Sequence, residues 1–118
     1  MKIKLIVILI VLVFTGCYQT TLYYWGNYSN SLYNYKKLET EGNLNKHIKS
    51  IEKIIKQSDY LKKKVPPGIY CEYGYYSMQE GNYSEAKKYF DLEIKLYPES
   101  EKFVTVLVQR IPEKKENE

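Results

Sequence analysis

The stretch VPPGIYCEYGYYSMQEGNYSEAKKYFDLEIKLYPES, residues 65–100, decides the fold. The first proline of VPPG disfavours helical geometry in the residue before it, so one helix ends there and the next can begin. The pattern then predicts a helix over residues 69–79, a break at EGNYS and a second helix over residues 83–96. Pro98 ends the second helix. The stretch therefore predicts two antiparallel helices.

Helical periodicity continues on both sides of this pair. Upstream, apolar spacing predicts one helix over residues 23–38 and another over residues 44–61, separated by ETEGN. Downstream, Ser100 can cap a fifth helix with Phe103, Val104 and other apolar residues on its inner face. Strand alternation is missing from the sequence. We therefore predict an all-α protein of antiparallel helical hairpins with a C-terminal capping helix. The predicted core comprises Trp25, Tyr28, Leu32, Ile48, Ile51, Ile55, Tyr70, Tyr73, Gly74, Ala86, Phe90 and Leu107.

An internal repeat accompanies the hairpins, because GNLNKH at residues 42–47 recurs as GNYSEA at residues 81–86. The second copy resembles the tetratricopeptide motif. The resemblance places Gly74 at a helix contact, Ala86 at the close-packing position and Phe90 beside them. Because Gly74 and Ala86 are small, they let two helices approach closely. The motif therefore predicts a tight contact between the helices at residues 69–79 and 83–96.

In tetratricopeptide arrays the first helix of each repeat lines a concave groove. The resemblance therefore implies that Tyr75, Met78 and Gln79 face a partner, with Cys71 at the edge. The first copy of the repeat is degenerate, because His47 stands at the position of the alanine. We expect this lone histidine to be a packing or surface residue and not a metal ligand.

The first sixteen residues have the anatomy of an export signal. Lys2 and Lys4 precede an apolar run over residues 5–14, and small residues follow it. This run is too short to cross a bilayer, since a spanning helix needs about 20 residues. A short membrane anchor or a buried helix is the alternative interpretation.

Residues 14–17, FTGC, resemble the bacterial lipobox, in which the cysteine thiol takes a diacylglycerol and a peptidase cuts before it. The resemblance implies that Cys17 is acylated and holds the protein at the membrane, because two or more acyl chains anchor almost permanently. Tyr18 after the cysteine favours the outer membrane, and we expect the anchor to lie on its periplasmic face. Cys71 is then left without a disulfide partner. The predicted divisions are a signal peptide over residues 1–16, a lipidated tether over residues 17–22, a helical-repeat domain over residues 23–111 and a disordered tail over residues 112–118.

Composition and motifs argue against several functions. The chain has 18 Lys and Arg against 14 Asp and Glu, and this net charge of +4 is too mild to indicate nucleic acid. Its single histidine accompanies no phosphate loop, metal cluster or Ser-His-Asp spacing. We expect Asp91, Glu93 and Glu99 to be solvated charges. The sequence therefore predicts no catalytic residue, no metal, no cofactor and no small-molecule substrate.

The segments YYWGNYSNSLY, VPPGIYCEYGYY and EGNYSEAKKYFDLEIKLYPES, with the lipobox, resemble a bacterial lipoprotein family designated as a domain of unknown function, DUF4810. The resemblance implies an envelope lipoprotein, often encoded beside a lipoprotein similar to the curli secretion channel. We expect an outer-membrane lipoprotein that acts as a small helical scaffold or assembly factor, with another envelope lipoprotein as its partner. An envelope enzyme acting on glycan or peptide and a purely structural lipoprotein are the alternatives.

Overall fold

The computed structural model describes residues 1–4 and 20–112, and the part after residue 20 folds into five α-helices. The described residues contain no strand, so the predicted all-α class is confirmed. The helices are α1 Tyr28–Lys37, α2 Glu41–Tyr60, α3 Ile69–Gln79, α4 Tyr83–Leu96 and α5 Glu101–Val108, with a 3-10 turn at Pro98–Ser100 before α5. Most of the predicted signal peptide, Cys17 and nearly all of the predicted tail lie outside the described residues.

Helices α3 and α4 have the bounds that the sequence predicts. The chain reverses between them at Gly81, whose φ of 80° is in the left-handed region that favours glycine. The amide of Asn82 donates to the carbonyl of Ser77 at 2.8 Å, which closes the end of α3.

Within the described residues, no helix is both long enough and apolar enough to cross a membrane.

The VPPG segment forms the turn that leads into α3. Gly68 has a φ of 87°, and the amide of Ile69 donates to the carbonyl of Pro66 at 3.2 Å. Val65 and Pro66 are buried. The hydroxyl of Tyr97, which follows α4, donates to the carbonyl of Val65 at 2.6 Å and fixes this turn against the end of α4.

The predicted start of the first helix is wrong. The helix begins at Tyr28 and not at residue 23, because the chain turns at Gly26, whose φ is 49°. The amide of Tyr28 donates to the carbonyl of Trp25 at 3.1 Å within this turn. Trp25 is 44% exposed, so its assignment to the core is also wrong. The glycine therefore keeps the preceding aromatic residues outside the helix.

The start of α2 and the capping of α5 also differ from the sequence interpretation. Helix α2 begins at Glu41, earlier than predicted, because the side chain of Thr40 accepts the amide of Asn43 at 3.3 Å. Ser100 does not cap α5, since its hydroxyl donates to the carbonyl of Tyr97 at 2.7 Å. The 3-10 turn instead runs directly into α5.

The core has two parts. Between α3, α4 and α5, buried apolar side chains pack around Phe90, Val104 and Leu107. On the α2 side, Ile51 and Ile54 pack with the start of α3, and a layer of half-buried tyrosines covers them. The buried members of the predicted core are Ile51, Gly74, Ala86, Phe90 and Leu107. Its half-buried members are Tyr28, Leu32, Ile48, Ile55, Tyr70 and Tyr73.

Helices α3 and α4 approach each other closely at Gly74. A Cβ atom added there would lie 2.9 Å from two ring carbons of Phe90 and 3.1 Å from the carbonyl oxygen of Ala86. Phe90 and Ala86 are both fully buried, so neither can withdraw into solvent. The predicted glycine contact is therefore present, and it sets the distance between the two helices.

Candidate functional site

A groove of about 610 Å³ opens between α3, the 3-10 turn and α5. Its walls are mainly apolar and include Tyr75, Tyr97, Phe103, Val104 and Leu107. Phe103 is 64% exposed and Tyr75 is 38% exposed, although both are large and apolar in most of their surface. Concave apolar surface of this kind is typical of binding sites.

The structure separates the residues that the tetratricopeptide resemblance assigned to a partner surface. Tyr75 is on the wall of the groove, and Cys71 also lines it. Met78 is in the core and is only 9% exposed. Gln79 is exposed but does not line the groove. Of the three predicted residues, Tyr75 alone is therefore both exposed and part of the groove.

The second exposed wall residue, Phe103, was not assigned to a partner surface. Phe103 and Val104 were both placed on the inner face of the fifth helix, but Val104 is fully buried while Phe103 is exposed. Val104, Leu107 and Val108 follow the i, i+3, i+4 spacing of one inward helix face, and Phe103 points about 100° away from Val104, at the edge of that face. That spacing is the sequence signal that could have identified Phe103.

The carboxylate of Glu93 lies at the floor of the groove and caps α3. Its Oε1 accepts the amide of Gly68 at 2.7 Å, and its Oε2 accepts the amide of Cys71 at 3.3 Å. The side chain is 2% exposed, so its interpretation as a solvated charge is wrong. The first amides of a helix have no partner within the helix, and the positive end of the helix dipole favours a carboxylate there.

A second buried polar cluster joins α1, α2 and α3. His47 is fully buried, and its Nδ1 lies 2.9 Å from Ser31 Oγ while its Nε2 lies 2.8 Å from Glu72 Oε1. Tyr28 donates to Glu72 Oε2 at 2.7 Å, and Tyr76 donates to Oε1 at 3.3 Å. Each of the three helices therefore contributes to one hydrogen-bonded network around His47.

The order Ser31, His47, Glu72 is that of a nucleophile, a base and an orienting acid, and the sequence interpretation missed it. Its geometry favours a packing role. Ser31 is 6% exposed, and its hydroxyl lies 2.9 Å from the carbonyl of Tyr28, to which it donates. His47 is enclosed as well, with the ring of Tyr35 stacked at 6.4 Å.

Within the described residues, no group of three or more His, Cys, Asp or Glu is arranged to hold a metal ion.

Burial and the carboxylate of Glu72 raise the pKa values of two tyrosines in the network. Burial raises the pKa of Tyr28 above its usual value, and the hydrogen bond to Glu72 and the charge of Glu72 raise it further. Burial is also the largest cause of the raised pKa of Tyr76, to which Glu72 again adds. Both hydroxyls therefore stay protonated beyond the pH at which a free tyrosine ionises, and they can still donate to the carboxylate there.

We expect Cys71 to be an unreactive thiol. Burial raises its pKa to about 11, and the nearby Glu93 and Glu72 add to the effect. Roughly one thiol in a thousand is then ionised at pH 8, and only the thiolate attacks iodoacetamide. Alkylation at pH 8 should be about 100-fold slower in the native protein than in urea, measured by peptide mass spectrometry. Equal rates would contradict the buried position.

The comparisons with known proteins identify a family. The sequence profile described as "Domain of unknown function (DUF4810)" matches residues 22–107. The match begins just before α1 and ends within α5, so it includes both the groove and the His47 network. Neither a curated protein nor a solved structure matches the chain. Because the match covers more than half of the sequence, the chain belongs to the family described as a domain of unknown function, DUF4810.

Proposed function

We propose that this protein is a lipid-anchored scaffold of the outer membrane that holds a segment of another envelope protein in the groove between α3 and α5. The groove is the observation that carries the proposal. Tyr75 and Phe103 remain exposed on its walls, while the other described apolar residues of α3 and α5 mostly pack inward. Exposed aromatic residues on a concave wall are typical anchors for a protein partner.

The arrangement of the helices supports a tetratricopeptide-like module. In such modules the first helices of successive repeats line the concave face. Here α3 begins the second hairpin and α5 follows that hairpin, and these two helices form the groove. The close contact at Gly74 supports the same assignment. The partner surface that we propose is the wall of this groove, with the exposed side chains of Tyr75 and Phe103 as its anchors.

The lipid anchor is the second part of the proposal, and it rests on the resemblance of FTGC to a lipobox. Acylated Cys17 would hold the helical domain at the periplasmic face of the outer membrane. The family resemblance favours another envelope lipoprotein as the partner, and a protein similar to the curli secretion channel is the first to test. The groove is mainly apolar, and the side chains of the His47 network are buried and hydrogen-bonded to one another. Both features favour this non-enzymatic role over the glycan- or peptide-cleaving alternative.

We expect Cys17→Ser to remove both lipid attachment and signal cleavage. The variant should keep Lys2 and Lys4 on an uncut leader, whereas the parent protein should begin at Cys17 and carry lipid mass. Cys71→Ser is the matched control and should change neither property, because that thiol is buried in the folded domain. Mass spectrometry of the mature N-terminus measures both. An unacylated Cys17 or an intact Met1 in the parent protein would contradict the anchor.

We expect the double variant Tyr75→Ala and Phe103→Ala to lose its partner while remaining folded. Both side chains are exposed, so truncation should cost little stability, but each buried aromatic anchor contributes about 2 kcal/mol or more to binding. Partner recovery from detergent-solubilised membranes should fall at least tenfold, measured by quantitative mass spectrometry. The control is Tyr33→Ala with Tyr83→Ala, which removes exposed tyrosines outside the groove. Equal recovery with both double variants would favour a purely structural lipoprotein.

A further inference from the structure

The end of α2 and the segment of residues 20–25 both expose side chains with the chemistry of a membrane interface. Tyr60 is 77% exposed, Leu61 43%, Leu22 70% and Trp25 44%. The lysines at positions 62 to 64 follow directly, and Asp59 is the single acid among residues 59–64. Tryptophan and tyrosine favour the headgroup level of a bilayer, and lysine favours anionic headgroups.

A hydrogen-bonded contact brings the two segments together. Lys63 Nζ donates to the carbonyl of Thr21 at 2.7 Å and lies 3.1 Å from Thr21 Oγ1. Thr21 is the residue before Leu22, and Lys63 is two residues after Leu61. Along the chain, the exposed Leu22 and Leu61 are therefore one and two residues away from the two partners of this contact.

The position of Cys17 sets how far this surface can lie from the membrane. Thr21 is four positions after Cys17, and four extended residues span at most about 14 Å. A cysteine held at the bilayer by acyl chains therefore keeps the Thr21–Lys63 contact within that distance of the headgroups. Lys62 and Lys64, on either side of Lys63, are exposed, so their side chains can extend toward the headgroups.

The backbone at the end of α2 turns at the first of these lysines. The amide of Lys63 donates to the carbonyl of Ser58 at 2.8 Å, and the amide of Lys62 donates to that of Asp59 at 3.1 Å. This pair of bonds is a Schellman motif, in which glycine is favoured because one residue is left-handed. Lys62 occupies that position with a φ of 55°. Lys62 therefore has a backbone conformation in which glycine would be less strained.

We propose that Leu22, Trp25, Tyr60 and Leu61, with Lys62 and Lys64, dock the folded domain onto an anionic lipid surface beside its acyl anchor. This inference rests on the lipid anchor of the proposed function. The acyl chains hold the protein at the bilayer, and the docking surface orients the domain there. The exposed groove residues Tyr75 and Phe103 lie on α3 and α5 and do not belong to this docking surface.

The single tryptophan provides the test, because Trp25 belongs to the proposed surface. Full-length lipoprotein is reconstituted into vesicles of phosphatidylcholine alone or with three parts in ten of phosphatidylglycerol. Tryptophan quenching by a headgroup-level spin-labelled lipid is then measured. Each lysine near an anionic surface shifts the docked-to-free ratio by roughly fivefold. Quenching should therefore be about twofold or more stronger with phosphatidylglycerol, and high salt should remove the difference.

The variant Lys62→Gln with Lys64→Gln should lose this difference, while the control Lys53→Gln with Lys56→Gln should keep it, since those exposed lysines lie earlier along α2. Equal quenching in both kinds of vesicle, or no effect of Lys62→Gln with Lys64→Gln, would overturn the docking surface even though the acylated protein stays in the vesicles. Release of the protein from both kinds of vesicle would instead overturn the anchor itself, and the docking surface with it.

Discussion

Gly74→Leu is expected to lower the free energy of unfolding by about 3 kcal/mol, because overpacking a tight contact costs 1 to 3 kcal/mol and this contact is unusually close. The new Cβ atom alone would lie 2.9 Å from the ring of Phe90 and 3.1 Å from the carbonyl of Ala86. Neither can yield without separating α3 from α4. A domain of this size has a total stability of about 5 to 15 kcal/mol, so a large part would be lost.

The control for this change is Gly42→Ala. Gly42 lies in the first turn of α2, and an added Cβ atom would meet nothing within 4 Å. Alanine has the higher helix propensity, so this variant should be unchanged or more stable by up to about 1 kcal/mol. Urea unfolding followed by circular dichroism measures both variants. If Gly74→Leu had the same midpoint as the parent protein, Gly74 could not be at a helix contact.

Glu93→Gln is expected to lower the free energy of unfolding by about 2 to 4 kcal/mol, because hydrogen bonds to a charged group contribute about 1.5 to 3 kcal/mol and an unpaired buried group adds a further cost. The carboxylate accepts two amides, from Gly68 and Cys71. An amide side chain has one acceptor oxygen, and its nitrogen would face the second amide with another donor. The favourable charge at the start of α3 would also be lost.

Glu101→Gln is the matched control for Glu93→Gln, since Glu101 is exposed in the first turn of α5. Its removal should cost about 0.5 kcal/mol from the helix dipole. The same unfolding experiment compares the two. Equal, small losses would mean that the carboxylate of Glu93 does not hold the turn before α3, and the floor of the groove would then need another support.

The helices with clear chemical boundaries were predictable from the sequence. Prolines and glycine mark both ends of α3 and the end of α4, and these bounds are confirmed. The start of α1 was not predictable from apolar spacing, because Trp25 continues the pattern while Gly26 adopts a left-handed φ of 49° that breaks the helix. Periodicity reports which residues could share a face, but it does not report where the backbone turns.

The polar contacts were less accessible to sequence reasoning. Glu93 meets the amide of Gly68, which lies 25 residues earlier, and His47 meets Glu72 at the same separation. Each pairing depends on how neighbouring helices pack, which the local sequence does not show. Glu93 lies on a lysine-rich helix, so nothing in its neighbours along the chain indicates that it is buried. The groove was predicted in part, since Tyr75 lines it while Met78 is taken up by the core. A side chain assigned to a helix face from a distant resemblance can be displaced by a small rotation of the helix.

Site-specific photocrosslinking in intact cells is the most direct test of the groove as the partner surface. Phe103→benzoylphenylalanine places the photoreactive group on the wall of the groove, and Tyr33→benzoylphenylalanine places it on an equally exposed position of α1. We predict that irradiation joins the first variant to one envelope lipoprotein and leaves the second without that product. Tyr75→Ala in the first variant should reduce the yield at least tenfold. No discrete product from position 103, or the same product from both positions, would contradict the proposal.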